Sequence, residues 1–163
     1  MQTTEAASEA PLSEYEKERG KPTPSWNHGT TQHRLSGLLF AYEDEYSIAS
    51  ELSLDLDGLP IGTTPDLCIY SKKNTNFLHD EVRLTEPPLV AVEIASPTQS
   101  TQDIVDKIQQ MLAAGVQSCW LVQPAMQAIT VYAAEGAAPK TVSDGPLDDP
   151  ATDIEIDVAE VFA

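Results

Sequence analysis

Pro87-Pro88-Leu89-Val90-Ala91-Val92-Glu93-Ile94-Ala95-Ser96-Pro97 is the stretch on which the fold turns. Prolines bound it at both ends, because proline cannot donate to a strand ladder. The nearly continuous apolar run between them is the pattern of a central strand buried on both faces. Successive side chains alternate, so Leu89, Ala91, Glu93 and Ala95 share one face while Val90, Val92 and Ile94 share the other. A carboxylate on such a strand is expensive unless something compensates it. The alanines on either side of Glu93 leave space for that compensation.

Upstream, Pro65-Asp66 opens a second short strand running to Tyr70, with Cys68 and Tyr70 on the face of Asp66. If the two strands pair, Asp66 and Glu93 point into one recess. Two unit charges ~4 Å apart repel by about 4 kcal/mol at an effective dielectric of 20, so a divalent cation or a proton would have to hold them together. Paired carboxylates with open positions suit Mg²⁺ or Mn²⁺, hard ions that prefer oxygen. The same spacing also fits two separate acids, each bonded to a backbone amide or a nearby cation.

Downstream, the spacing predicts a helix from Thr101, as cap, to Ala114, stopped by Gly115, with Ile104, Val105, Ile108, Met111 and Leu112 as its apolar stripe. Lys107 lies about 100° from the centre of that stripe, from where its stem could lean toward the carboxylates. It is also placed to pair with Asp103 at i,i+4. Ser118–Val122 and Ala128–Ala133 read as strands, and Ile154 to Phe162 as a last strand with one turn. Toward the N-terminus, residues 1–12 read as a flexible leader and Ser13-Glu14-Tyr15-Glu16 as a capping box. His28, Gln32, Leu35, Leu39 and Tyr42 recur at helical spacing, giving a helix from His28 to Tyr42. Leu52, Leu54 and Leu56 alternate with polar residues, extending a strand from Tyr46 to Leu56 and setting Glu51 on its solvated side. The result is an α/β chain with a mixed sheet flanked by helices, forming one domain over residues 13–163.

The charge balance narrows the chemistry. In 163 residues, 9 Lys+Arg face 26 Asp+Glu, a net charge of −17, so the overall field repels polyanions. Any hold on nucleic acid must be local or metal-bridged. Lys72, Lys73 and Arg83, between the second and third strands, could form such a grip. His28 could orient a phosphate or a water, or merely cap and pack its helix. No window is long and apolar enough to span a membrane, and no basic n-region marks a secretory signal. Two cysteines 51 positions apart match neither a disulfide framework nor a zinc spacing and fit a reduced, cytoplasmic compartment. Phosphate-cradling glycine loops, the G-x-S-x-G elbow and H-E-x-x-H are absent.

Pro65-Asp66 and Glu93-Ile94-Ala95-Ser96-Pro97 belong to an ordered series. It also contains Asn27-His28-Gly29, Glu51-Leu52, Lys107, Ala114-Gly115-Val116, Trp120-Leu121-Val122 and Val131-Tyr132. Taken together, from about Tyr15 to Tyr132, the series resembles the PD-(D/E)XK, restriction-endonuclease-like superfamily, and within it the small bacterial Uma group. The resemblance implies an α-β-β-β-α-β core with extra C-terminal strands and metal-dependent hydrolysis of phosphodiesters, with Mg²⁺ or Mn²⁺ on Asp66 and Glu93. It further implies nucleic acid, DNA before RNA, as partner at a local site, and leaves a homodimer through the polar 71–86 excursion open. The superfamily's lysine two positions after the glutamate is replaced here by Ala95, and Lys107, on the next helix, is its substitute. A Glu or Gln from a helix before the sheet often joins such sites, which nominates Glu16, Glu18 and Gln32. A non-catalytic interaction or scaffold protein that keeps this fold is the rival reading, favoured by Ala95 and the acidic surface.

Overall fold

The computed structural model describes residues 11–19, 21–134 and 136–163. Its elements run α1 (Glu14–Arg19), α2 (Trp26–Leu39), β1 (Tyr46–Ser50), β2 (Leu67–Ser71), β3 (Val90–Ile94), α3 (Thr101–Ala113), β4 (Ser118–Gln123), β5 (Ala128–Ala133), β6 (Lys140–Val142), β7 (Pro146–Asp148), β8 (Glu155–Asp157) and α4 (Val158–Val161). Residues 1–10 of the expected leader lie outside the described residues.

Six strands form one sheet in the order β1-β2-β3-β4-β5-β6, with β7 and β8 paired separately. Among the described strands only β3 and β4 pair in parallel, in the register Val90↔Ser118 to Ile94↔Val122, and α3 makes the crossover between them. β2 runs antiparallel to β3, Leu67 opposite Val92. All five residues of β3 are buried, as its apolar run requires.

Each sheet face carries its own core. On one, Leu35 and Leu39 of α2 and Val158 and Val161 of α4 pack on Leu67, Ile69, Val90, Val92 and Trp120. On the other, Ile104, Ile108 and Met111 of α3 pack on Cys68, Tyr70, Ala91, Cys119 and Leu121. The stripe spacing of α3 places those three side chains inward together. Glu93, in step with Ala91, therefore faces α3. Both cysteines are buried free thiols. Among the described residues no helix is long and apolar enough to cross a membrane.

Several boundaries differ from the sequence expectation. Ser100, not Thr101, is the N-cap of α3, its side chain accepting from Asp103 N. Both are good caps, and the backbone turns extended at Ser100 first. Gly115 ends α3 at φ +108°, its left-handed backbone set against Pro87. The helix expected to reach Tyr42 tightens into a 3₁₀ turn over Phe40–Tyr42. The strand expected to reach Leu56 stops at Ser50, because Glu51 adopts φ +51° and turns the chain away from β2. Leu54 survives as an isolated bridge to Thr63 and Leu84. Its burial came from loop packing, which imitates strand alternation.

Candidate active site

Asp66 is the last residue before β2, and its main-chain N–H donates to Val92 O at 3.0 Å. Its Oδ2 accepts from Ile94 N at 2.7 Å. One residue thus clamps the β3 backbone on both sides of Glu93, and the two carboxylates come from neighbouring strands into one recess under α3. Asp66 and Glu93 are both buried, at 1% and 3% exposure.

Each acid has its own lysine. Lys107 of α3 brings Nζ to 2.6 Å from Glu93 Oε1. That contact is close but is not an aligned hydrogen bond, and among the described residues Oε1 has no hydrogen-bond partner. The Asp103–Lys107 pairing open to the helix is passed over in favour of the buried acid, where attraction in a poorly screened recess is stronger. Lys21 brings Nζ to 2.8 Å from Asp66 Oδ1 and donates to Thr64 O at 3.2 Å. Glu51 Oε1 lies 3.7 Å from the same ammonium. His28 Nε2 is 3.1 Å from Asp66 Oδ1, while its buried Nδ1 has no hydrogen-bond partner among the described residues.

The two acids are tuned in opposite directions. Burial pushes the Asp66 carboxyl up, but the His28 hydrogen bond and the Lys21 charge outweigh it, and the group ionises below the ordinary carboxylate value. Burial pushes Glu93 up and prevails: Lys107 only partly offsets it, and the charge of Asp66 adds to it. Burial, with the nearby charge of Glu93, also raises the Cys68 thiol to about 12, so this sulfur is an inert wall of the recess. Neighbouring carboxylates whose environments push their pKa values apart recur in catalytic centres and in structural ion-pair networks alike.

The other expected residues divide. Gln32 Nε2 donates to Asp66 O at 3.3 Å, steadying the main chain beneath the acid rather than facing the recess. Glu16 is engaged at the N-terminus of α1. Its carboxylate closes the capping box on Ser13 N at 3.2 Å and accepts from Thr23, so it is occupied in ending its own helix. The side chain of Glu18 lies outside the described residues. Lys72 and Lys73 lie apart from the two acids. They follow the far end of β2, roughly 20 Å from Asp66 at the rise of a strand. There Lys72 bonds Glu43 O and Lys73 lies 5.0 Å from the Tyr70 ring centroid.

Lys21 and Glu51 are the residues that sequence reasoning missed. Glu51 is drawn toward the site by the backbone turn that ends β1, which alternation could not foresee. Lys21 sits in the proline-rich connection Lys21-Pro22-Thr23-Pro24, outside every periodic pattern. The available signal was a lone cation in a stiff, proline-bounded connection of a chain poor in lysine.

A divalent cation suits this donor set in one respect. Mg²⁺ is commonly held by only one or two carboxylates, with waters and substrate phosphates completing it. The under-bonded Oε1 of Glu93 beside Asp66 offers that, although among the described residues no three His, Cys, Asp or Glu side chains gather as a dedicated cage.

A solved structure titled as a "putative nuclease belonging to DUF820" from Anabaena variabilis superposes with TM-score 0.73 at 20% identity, covering 87% of this chain and 83% of that one. At that identity the likeness speaks for the fold alone. Among curated proteins nothing matches the chain. The Uma2 family, described as "Putative restriction endonuclease", matches residues 15–156, a span that takes in both acids and both lysines. The chain belongs to the Uma2 family.

Proposed function

We propose that this protein is a metal-dependent endonuclease that hydrolyses phosphodiester bonds of nucleic acid, with Asp66 and Glu93 as metal ligands and Lys107 as its catalytic lysine. The observation that carries the reading is the contact of Lys107 Nζ with Glu93 at 2.6 Å, in a chain with Ala95 where a lysine would ordinarily stand. Membership of the Uma2 family supports the nuclease class.

When bound, Mg²⁺ or Mn²⁺ would polarise the scissile phosphate and lower the pKa of a coordinated water. Asp66, kept ionised by His28 and Lys21, supplies a permanent negative ligand. Glu93, whose carboxyl is raised by burial, gains most from a cation, which replaces the solvent it has lost. Lys107 approaches from α3 with its side chain 23% exposed, so it can reach a phosphate oxygen and stabilise the charge that develops there. The −17 net charge makes this grip local, so affinity depends on the cleft and not on the surface.

Calorimetry with Mn²⁺, beside a plasmid-cleavage assay, tests the reading. Wild-type protein should bind the ion and cut, and Glu93→Gln should do neither. A second reading, a scaffold that retains the fold, is favoured by the lysine already paired to each acid. Failure of wild-type protein to bind Mn²⁺ would decide for it.

A further inference from the structure

Lys21 and Lys107 both line a cleft of about 320 Å³ whose walls are the 60–64 loop and the α3 face bearing Asp103 and Asp106. They are the cations among its lining residues, and the two acids they pair with lie beneath them, buried. In the resting site the two ammonium groups face three carboxylates, those of Asp66, Glu93 and Glu51, with an acidic α3 flank above. A phosphate meets no net attraction in that state.

A divalent cation changes this balance. Asp66 Oδ1 already receives both His28 Nε2 and Lys21 Nζ, and Oδ2 is held by Ile94 N. A cation on Asp66 would face the Lys21 ammonium at short range, and like charges in a poorly solvated recess repel strongly. Lys21 has somewhere to go. Its side chain is only 9% exposed, but it lines the cleft and hangs from a connection between α1 and α2 rather than from a helix or strand. Its remaining ties are a hydrogen bond to the neutral carbonyl of Thr64 and a longer contact with Glu51 Oε1 at 3.7 Å.

We propose that Lys21 is a second phosphate-binding lysine, released from Asp66 when a divalent cation takes that carboxylate, so that nucleic acid binds only after the metal. The inference rests on the nuclease reading above and adds a residue and an order of binding to it. Lys21 then grips the phosphodiester from the 60–64 side of the cleft while Lys107 grips it from α3.

The test is fluorescence anisotropy of a labelled DNA oligonucleotide, with Ca²⁺ present or with EDTA, on wild-type protein, Lys21→Met and Lys21→Arg. Mn²⁺ calorimetry is run on each variant. Wild-type protein should bind DNA with Ca²⁺ and not with EDTA. Lys21→Met should bind DNA at least tenfold more weakly, Lys21→Arg within about threefold of wild type, and Mn²⁺ affinity should be unchanged or higher in both. A residue that only props Asp66 would instead lose Mn²⁺ affinity on going to Met. Equal DNA binding by wild type and Lys21→Met overturns the role of Lys21 and leaves the nuclease reading standing. DNA binding in EDTA overturns the order. Absence of DNA binding by wild-type protein under both conditions overturns both. Should Lys21→Met not fold, the ¹⁵N resonance of the Lys21 ammonium in wild-type protein decides. It should shift when DNA is added with Ca²⁺, and an unmoved resonance overturns the proposal.

Discussion

The carboxylate of Asp66 accepts a hydrogen bond from Ile94 N at 2.7 Å, so the acid that opens one strand fixes the backbone next to the acid of its neighbour. The relative position of the two carboxylates is thus set by main chain rather than by flexible side chains. Such preorganisation is what a site needs if it is to hold a cation without rebuilding itself.

Removing Asp66 should cost stability as well as chemistry. Asp66→Ala strands Lys21, His28 and Ile94 N together in a buried recess, and the loss should be about 3–5 kcal/mol by urea denaturation. Because the folded-state pKa of Asp66 is lowered, its stabilisation is complete above the ordinary value of 3.8 and vanishes as pH falls through the folded value. Wild-type protein should therefore lose stability below about pH 4 more steeply than Asp66→Asn.

Glu93→Gln should move the other way. A carboxyl whose folded pKa is raised stabilises the protein only below its ordinary value of 4.5, and that contribution is lost as pH rises through the folded value. At neutral pH without metal, the variant should melt about 2–4 °C higher, a gain of about 1 kcal/mol, while losing Mn²⁺ binding. Its stability should also be flatter with pH on the alkaline side of the Glu93 titration. A lower melting temperature would mean that the Lys107 pair outweighs the burial.

Lys107→Met should reduce cleavage by about 10²–10³-fold and leave Mn²⁺ binding in place, as expected for a group that acts on developing charge. Asp103→Ala, on the same helix, should change cleavage less than twofold, since Lys107 is paired with Glu93. Single-turnover rates on supercoiled DNA separate the two.

Asp149 provides a control remote from the recess. Buried between β7 and β8, it accepts from Ser118 Oγ at 2.6 Å, Trp120 Nε1 at 2.9 Å, Thr152 Oγ1 at 2.8 Å and Ala151 N at 3.0 Å. Asp149→Ala should destabilise by about 3 kcal/mol and perturb tryptophan fluorescence, with Mn²⁺ affinity unaltered in the folded fraction.

Local periodicity carried most of the sheet and the long helices. The apolar run around Glu93 specified β3, the Ile104–Ile108–Met111 spacing specified the buried face of α3, and the Ala128–Ala133 strand lies where its pattern predicts it. It also set Asp66 with Cys68 and Tyr70, and Glu93 with Ala91, on one face of their respective strands, and the pairing of β2 with β3 then brought the two faces together. Periodicity failed where packing imitates it, as in the leucines after Ser50, and where strands are three residues long, as in β6 and β7.

What the sequence by itself determined about this protein was therefore its longer elements and which residues share a face within each strand, because both follow from repeats of two and 3.6 residues. The meeting of Asp66 with Glu93 depends instead on the pairing of β2 with β3. Only the tertiary structure decided which cation meets which acid. Lys21 is 45 residues from Asp66 along the chain, and Lys107 had Asp103 one helical turn away. Those partnerships come from where the loops and α3 settle on the sheet, and a buried carboxylate draws a lysine more strongly than an exposed one does.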